Sequence, residues 1–223
     1  MSLSSFTTSS RDGDTRAKGA LERLLKKKSW PTAVATAQQV HGDRIQIVPA
    51  LQKPVQYKGT DGLITDQPNQ PLAIFTADCA SIFLTDKRER VIGVLHAGWR
   101  GTRAGILRKA VRLIRRRWRI PVKRLKVWLG PSIGPCCFEV QWDVARYFPK
   151  TRKRLVRRSI SGGGWTVDIA GELHAQARRL GVHVVPTKLS CTMHSNRYYS
   201  YRRDYTHKRM ASVVTTKRRG PDV

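Results

Sequence analysis

The 223-residue chain is long enough for one globular domain with a sizeable core, and a hydrophobic content of 40% excludes a disordered polymer. Its 43 Lys and Arg residues against 15 Asp and Glu give a formal net charge of +28, which attracts nucleotides, phosphate and nucleic acid but specifies no fold. Apolar runs are interrupted within about ten residues, about half the length that a bilayer requires, so we expect no membrane span.

The N-terminal residues and the cysteines predict a cytoplasmic protein. The segment MSLSSFTTSSRDGDTRAKG lacks the apolar core of a secretory signal. Four cysteines, two of them adjacent at Cys136 and Cys137, make a poor disulfide framework, and we interpret that pair as a structural part of a Gly-Pro loop. His194 and His207 lie in polar stretches without a recognisable metal-ligand spacing. No zinc-finger, RRM or KH signature is present, so nucleic-acid or other polyanion binding is predicted only as an incidental property of the basic surface.

The first half of the chain is predicted to consist mainly of strands, because β-branched and aromatic residues recur between turn signals. In chain order, the predicted elements are a loop over residues 1–20, a helix in ALERLLKKK, two strands in AVATAQQVHGDRIQIV joined at Gly42–Asp43, a loop through QKPVQYKGTDG, strands on both sides of a break at Ala77–Ala80, and a strand in RVIGVLHAG.

From Thr102 the period becomes helical, with Thr102 predicted as the N-cap and Pro121 after the helix end. The remaining predicted elements are a strand in LKVWLGP, a short helix in WDVARYF, a helix in DIAGELHAQARRLGV closed by Gly181, and strands in VHVVPTKLS and MASVVTT. Strands and helices do not alternate strictly. The pattern therefore predicts one α+β domain over residues 1–223, with mixed sheets.

Three residues that can bind a metal each stand where a predicted strand gives way to a turn: His41, Cys79 and His96. Two histidines and one cysteine form a known catalytic zinc set that leaves a fourth position open. Their wide spacing matches no compact zinc finger, and a structural role for all three, with Cys79 as a small buried hydrophobe, is the alternative interpretation.

Several motifs, taken in order, resemble those of one family. They are QVHGD, DGLIT, TADCASIFLTD, HAGWRGT and GPSIGPCCFEV, followed by the closing motif CTMHSNRYYSYRRD. The family is the YfiH-like family, also named laccase-domain or polyphenol-oxidase-like proteins, and some members are named peptidoglycan editing factor. Ser81 stands where the family often has proline, and the chain lacks the family's N-terminal asparagines and its closing Gly-Arg-Gln pattern. These departures bear on substrate choice more than on the metal.

The resemblance implies a four-layer α/β/β/α domain whose metal site is formed by His41, Cys79 and His96, with zinc favoured over copper. It also implies the function: phosphorolysis of adenosine- or inosine-type nucleosides to the free base and ribose 1-phosphate. Adenosine deaminase and 5′-methylthioadenosine phosphorylase activities are implied as further activities of the same site.

The stretch HAGWRGT supplies a candidate anion site. Arg100 lies between two glycines, and a helix that begins at Thr102 would direct backbone N–H groups at the anion. We therefore expect Arg100 to be catalytic, and Asp78, Arg100 and Thr102 to bind substrate. In the alternative, Arg100 only pairs with Asp78 or Asp61. Asp78 could also orient a metal-binding histidine or cap a turn.

Three other functions fit parts of the sequence. Cys79 with a histidine base could serve a cysteine hydrolase or a peptidoglycan-precursor editing enzyme. A copper polyphenol oxidase is disfavoured because the six histidines include no His-X-His pair. The charge of +28 fits a non-enzymatic polyanion-binding protein. We expect a monomer or a small homo-oligomer.

Overall fold

The structure of the chain is a computed structural model, which describes residues 2–148, 156–158 and 163–217. In these residues the strands are β1 (Ser2–Thr7), β2 (Ala35–Gln38), β3 (Ile45–Ile47), β4 (Val55–Lys58), β5 (Gly62–Thr65), β6 (Leu72–Thr76), β7 (Ala80–Asp86), β8 (Ile92–Ala97), β9 (Leu125–Leu129), β10 (Glu139–Val140), β11 (Val156–Arg158), β12 (Trp165–Val167), β13 (His183–Val184) and β14 (Met210–Lys217). The α-helices are α1 (Ala20–Lys27), α2 (Trp99–Ala104), α3 (Ile106–Trp118), α4 (Trp142–Ala145), α5 (Ile169–Leu180) and α6 (Tyr201–Asp204). No helix of this part of the chain is long and apolar enough to cross a membrane.

Two large sheets form the centre of the molecule. The first has the strand order β1-β14-β6-β2-β4 and the second the order β13-β9-β7-β8-β5-β3, while β10, β12 and β11 form a small third sheet. In the first sheet β2 is parallel to β4 and β6, and β1, β14 and β6 pair antiparallel. In the second sheet the end pairs are parallel and the central pairs antiparallel. The prediction of mixed sheets is confirmed.

The two sheets pack face to face between layers of helices. The residues buried between the sheets include Leu63, Leu72, Ile74, Phe83, Ile92, Val94 and Val214. On the outer face of the first sheet, α1 packs through Leu21 and Leu25. On the outer face of the second sheet, α3 and α5 pack against β7 and β8. Both faces of these central strands are therefore buried, which explains their nearly continuous apolar sequences and confirms the four-layer α/β/β/α arrangement.

The prediction of a loop over residues 1–20 is wrong for its first part. Residues Ser2–Thr7 form β1, which pairs along its whole length with β14 at the other end of the chain. Its short polar sequence shows little alternation, and a local pattern cannot reveal a partner that lies so far away in sequence. The predicted helix in ALERLLKKK is present as α1.

The two strands predicted around Gly42 exist, but they do not form a hairpin. β2 belongs to the first sheet and β3 to the second, so the turn after β2 carries the chain from one sheet to the other. The loop predicted through QKPVQYKGTDG contains β4, which extends the first sheet beside β2. At the predicted break after β6 the chain again crosses from the first sheet to the second.

The helix predicted to begin at Thr102 begins earlier. Its N-cap is Gly98, and α2 starts at Trp99. Gly105, with a φ of 80° in the left-handed region, separates α2 from α3. Thr102 lies inside α2, where its side chain is fully buried. The glycines of this stretch conceal the helix in the sequence because glycine is a poor helix former.

Candidate metal centre

The sheet topology brings His41, Cys79 and His96 together. β2 and β6 are parallel neighbours in the first sheet, so their carboxyl ends meet at one edge, and His41 and Cys79 follow those ends. The side-chain amide of Gln39 joins the two ends: it accepts from the N–H of Phe75 and donates to its carbonyl, both at 2.7 Å. His96 lies in β8, opposite Ser81 of the neighbouring β7.

The side-chain ligand atoms of these three residues lie within 4.8 Å of one another. The rings of His41 and His96 are 4.8 Å apart between centroids and nearly perpendicular. His96 is buried, Cys79 is half-buried and His41 is exposed, so the group is open to solvent on the side of His41. The sequence-predicted site residues therefore form one cluster at the boundary between the core and solvent.

A carboxylate that the sequence analysis had not assigned to the site supports both histidines. The Oδ1 atom of buried Asp61 lies 2.8 Å from Nδ1 of His96. The carboxylate also accepts backbone N–H groups of the turn that carries the first histidine, from Val40, His41 and Gly42, at 3.2, 3.0 and 2.8 Å. Because Asp61 contacts Nδ1 of His96, the Nε2 atom remains available for a partner on the other side of the ring. Asp61 belongs to the motif DGLIT and precedes β5, which pairs with β8.

The electrostatics of the cluster favour a thiolate. Burial alone would raise the pKa of the Cys79 thiol, but the charge and hydrogen bonds of His96 and His41 outweigh burial and lower it to about 6. Burial likewise opposes the charged form of His96, yet Cys79 and Asp61 raise the pKa of His96 to about 9. Despite its burial, Asp61 has a lowered pKa because His96 and backbone N–H groups stabilise the carboxylate. A thiolate is the form of cysteine that binds metals.

Two residues of the site hold left-handed backbone conformations: His41, with a φ of 60°, and Asp78, with a φ of 83°. Such conformations cost about 1–3 kcal/mol and persist where surrounding contacts fix them. For His41 the contact is Asp61. The carboxylate of Asp78 accepts the hydroxyl of Thr192 at 2.6 Å and the backbone N–H of Arg202 at 2.7 Å. Asp78 thus joins the Cys79 loop to the closing motif. The carboxylate that bonds to a site histidine belongs to Asp61 and not to Asp78.

The glycines of HAGWRGT permit close approach of the backbone to the cluster. A Cβ atom on Gly98 would lie 3.1 Å from Sγ of Cys79 and 3.3 Å from a ring carbon of His41. A Cβ atom on Gly101 would lie 2.8 Å from the carbonyl oxygen of Gly42. The second distance is too short for any real Cβ contact, so α2 can pack against the His41 turn only with glycine at that position.

Two cavities meet at the cluster, and His41, Asp78 and Cys79 line both of them. The larger measures about 400 Å³, which falls in the range of about 300–1,000 Å³ typical of small-molecule sites. Its wall combines aromatic, amide and basic side chains: Phe75, Phe138, Tyr201, Gln38, Gln56, Arg16, Arg202 and Arg209. The smaller measures about 160 Å³ and is lined in part by Trp99 and Arg100.

The predicted anion-binding residues differ in position. Arg100 is exposed at the smaller cavity, with its guanidinium 4.5 Å from the ring centroid of Trp99. Thr102 lines neither of these two cavities: its carbonyl accepts from the amide of Gln176, and its buried hydroxyl has no partner among the described residues. The prediction of Thr102 as the N-cap is therefore wrong, because the helix begins at Trp99, whereas substrate binding by Thr102 stays a prediction.

The larger cavity contains cations that the sequence analysis did not single out. Burial, followed by the charge of Arg16, lowers the pKa of Arg209. Both guanidinium groups line this cavity, and a cavity lined by cations favours the binding of an anion. No sequence pattern pointed to this pair, because Arg16 lies in a segment that reads as a polar loop and Arg209 lies near the other end of the chain.

Comparison with known proteins supports the resemblance. Residues 2–217 match the family model described as multi-copper polyphenol oxidoreductase laccase. Similar proteins include a purine nucleoside phosphorylase of Streptomyces coelicolor, 31% identical over 208 residues, or 91% of this chain and 84% of that protein. Purine nucleoside phosphorylase YfiH of Shigella flexneri is 29% identical over 195 residues, or 86% and 78% of the two chains. The crystal structure of YlmD from Geobacillus stearothermophilus superposes with a TM-score of 0.83 at 28% identity, covering 97% of this chain and 92% of that chain. The chain therefore belongs to the YfiH family of laccase-like proteins.

Proposed function

We propose that this protein is a zinc-dependent purine nucleoside phosphorylase that cleaves adenosine- or inosine-type nucleosides with phosphate to the free base and ribose 1-phosphate. The observation that carries the proposal is one thiol and two imidazoles gathered in the wall of a cavity of about 400 Å³ that is also lined by arginines. The names of the similar proteins from Streptomyces coelicolor and Shigella flexneri support the choice of reaction.

The three side chains fit a zinc ion. A cysteine with a lowered pKa and two imidazoles are donors that zinc prefers. Their ligand atoms lie within 4.8 Å of one another, so small side-chain rotations would bring each of them to the usual zinc–ligand distance of about 2.0–2.3 Å from one ion. Bound by three protein ligands, zinc supplies a Lewis acid with an open coordination position. Copper oxidase chemistry, which the family description names, relies on several copper ions, whereas this cluster offers ligands for one.

Other residues of the chain would position the histidines, stack on the purine and bind phosphate. Asp61 holds the His96 ring and the His41 turn in place. Phe75, Phe138 and Tyr201 offer aromatic faces to a purine in the larger cavity. Phosphate must lie beside the ribose to attack C1′, and two cationic positions are available for it: Arg100 at the smaller cavity, and Arg16 with Arg209 in the larger one.

Chromatography of the products from adenosine, with and without phosphate, tests the reaction. Adenine that forms only with phosphate is the expected result. Inosine in both samples would instead indicate adenosine deaminase activity, in which water attacks C6 of the base and ammonia leaves. Neither product from zinc-loaded protein, with inosine and 5′-methylthioadenosine also left intact, would contradict the proposal.

A further inference from the structure

A second group of cysteine and histidine side chains lies apart from the first cluster. It comprises Cys136, Cys137, Cys191 and His194, whose ligand atoms all lie within 4.8 Å of one another. The interpretation of the adjacent cysteines as a purely structural loop pair, and of His194 as lacking a metal-ligand pattern, missed this group. Cys137 and His194 are 57 residues apart in sequence, so the two halves meet only in the fold.

The separation of the two adjacent thiols matches the edge of a tetrahedral site. Sγ of Cys136 lies 3.6 Å from Sγ of Cys137. The ring of His194 lies beside both sulfur atoms, with Nδ1 3.8 Å from Sγ of Cys136 and Nε2 3.1 Å from Sγ of Cys137, so it can offer one of its nitrogens to an ion between them. With Zn–S distances of about 2.3 Å and Zn–N distances of about 2.0 Å, the edges of a tetrahedron measure about 3.5–3.8 Å. The sulfur atoms are too far apart for a disulfide, whose S–S distance is about 2.05 Å.

Neighbouring groups prepare these side chains to bind a cation. The backbone N–H of Gly134 donates to Sγ of Cys191 at 3.3 Å, a contact that stabilises a thiolate. The guanidinium of Arg203 stabilises the conformation of the loop that carries His194. It donates hydrogen bonds to the carbonyls of Thr192, Met193, Ser195 and Tyr198. The ligand loop is therefore ordered by contacts that do not involve the thiols.

We propose that Cys136, Cys137, Cys191 and His194 bind a structural zinc ion. Three thiolates and an imidazole form one of the usual closed, four-ligand zinc sets. The ion would join the segment after β9 to the segment before α6, which already meet through a bridge between Ser132 and Cys191. Phe138 of the first segment and Arg202 of α6, which follows the second segment, both line the larger cavity. The second ion would thus stabilise the wall of the cavity without contacting substrate.

Metal analysis of protein purified under reducing conditions and reconstituted with zinc tests the proposal. We expect about two zinc ions per chain in the unmodified protein and about one in Cys136→Ser and in His194→Gln. His207→Gln is the matched control, since it removes an exposed histidine from the same region, and it should keep both ions. One ion per chain in the unmodified protein, unchanged by Cys136→Ser, would overturn the proposal.

Cobalt binding to Cys79→Ser gives a readout that is independent of the proposed enzymatic activity. This variant has no thiol in the first cluster, so any thiolate-to-cobalt charge-transfer band must come from the second. We expect the band in Cys79→Ser and its loss in the double variant Cys79→Ser/Cys136→Ser. Absence of the band together with immediate reaction of exposed Cys136 with a thiol reagent would overturn the proposal. So would an intact mass showing a disulfide in protein handled without oxidant.

Discussion

The two cysteine and histidine groups of this protein lie in different structural settings. His41, Cys79 and His96 lie at or after the ends of strands in the two central sheets, and buried Asp61 holds both histidines. The second group lies on two loops, with Cys136 and His194 exposed. The first group opens into two cavities, whereas the second offers four protein ligands to one ion and leaves no open position.

In the first group the fold positions the ligands, whereas in the second group the bound ion would stabilise the fold. Sheet register and a buried carboxylate fix the first cluster before any metal binds, so its ion is available for chemistry. The loops of the second group meet through an isolated bridge and through the guanidinium of Arg202, which donates to the carbonyls of Cys137 and Glu139, so an ion bound between them would contribute directly to stability. Substitutions in the first group should therefore reduce mainly activity, and substitutions in the second group should reduce mainly stability.

The largest expected effect is that of Cys79→Ser. This variant should lose the first zinc ion and turnover, because a hydroxyl is a poor zinc ligand, while its thermal unfolding temperature falls only by the stabilisation that zinc binding itself supplies. Metal analysis, product chromatography and thermal unfolding measure these three quantities. Cys136→Ser, the same substitution in the second group, should show the reverse order: retained first-site zinc and a lower unfolding temperature. Retention of stoichiometric first-site zinc by Cys79→Ser would contradict the ligand assignment.

Asp61→Asn tests whether the first centre depends on its supporting carboxylate. Loss of the charge that faces His96 should weaken zinc binding about 10- to 100-fold, and the altered contacts with three backbone N–H groups should lower the free energy of unfolding by about 1–3 kcal/mol. Zinc competition with a chelator and urea unfolding measure the two effects. Asp43→Asn is the control, because Asp43 pairs with Lys109 at the surface and should change neither quantity appreciably. Equal zinc affinity in Asp61→Asn and the unmodified protein would mean that the sheet alone positions His96.

The sequence predicted the parts of the molecule that local patterns determine. Alternation and apolar runs located the central strands, and Asp168 and Gly181 delimited α5 as expected. The motifs that carry the resemblance placed His41, Cys79 and His96 together. Asp61, the Arg16–Arg209 pair and the second ligand group escaped prediction because each depends on residues that are distant in sequence and meet only through the sheets. The N-cap was wrongly predicted at Thr102 because the nearby glycines are poor helix formers and hide the start of α2 in the sequence pattern.

Arg100→Ala compares the two cationic positions for phosphate. We expect this variant to keep its zinc and to raise the KM for phosphate about 10- to 100-fold, since a hydrogen bond to a charged group contributes about 1.5–3 kcal/mol. Arg209→Ala is the paired variant at the larger cavity. Steady-state kinetics at saturating nucleoside measure both. A large effect of Arg209→Ala together with no effect of Arg100→Ala would place phosphate between Arg16 and Arg209 instead.

The smallest expected effects are those of alanine at the glycines of HAGWRGT, and they test how closely the first centre is packed. Gly101→Ala should lower the free energy of unfolding by about 1–3 kcal/mol, because its Cβ would lie 2.8 Å from the backbone oxygen of Gly42, which cannot rotate away. Gly98→Ala should weaken zinc binding more than it lowers stability, since its Cβ would press on Cys79 and His41 at 3.1 and 3.3 Å. Gly163→Ala is the control, because the nearest atom to its Cβ lies 3.8 Å away, at ordinary contact distance. Urea unfolding and zinc competition on the three variants distinguish the effects. If Gly101→Ala proved as stable as Gly163→Ala, the His41 turn would be able to move away from α2, and the first centre would be less rigid than the contrast with the second group requires.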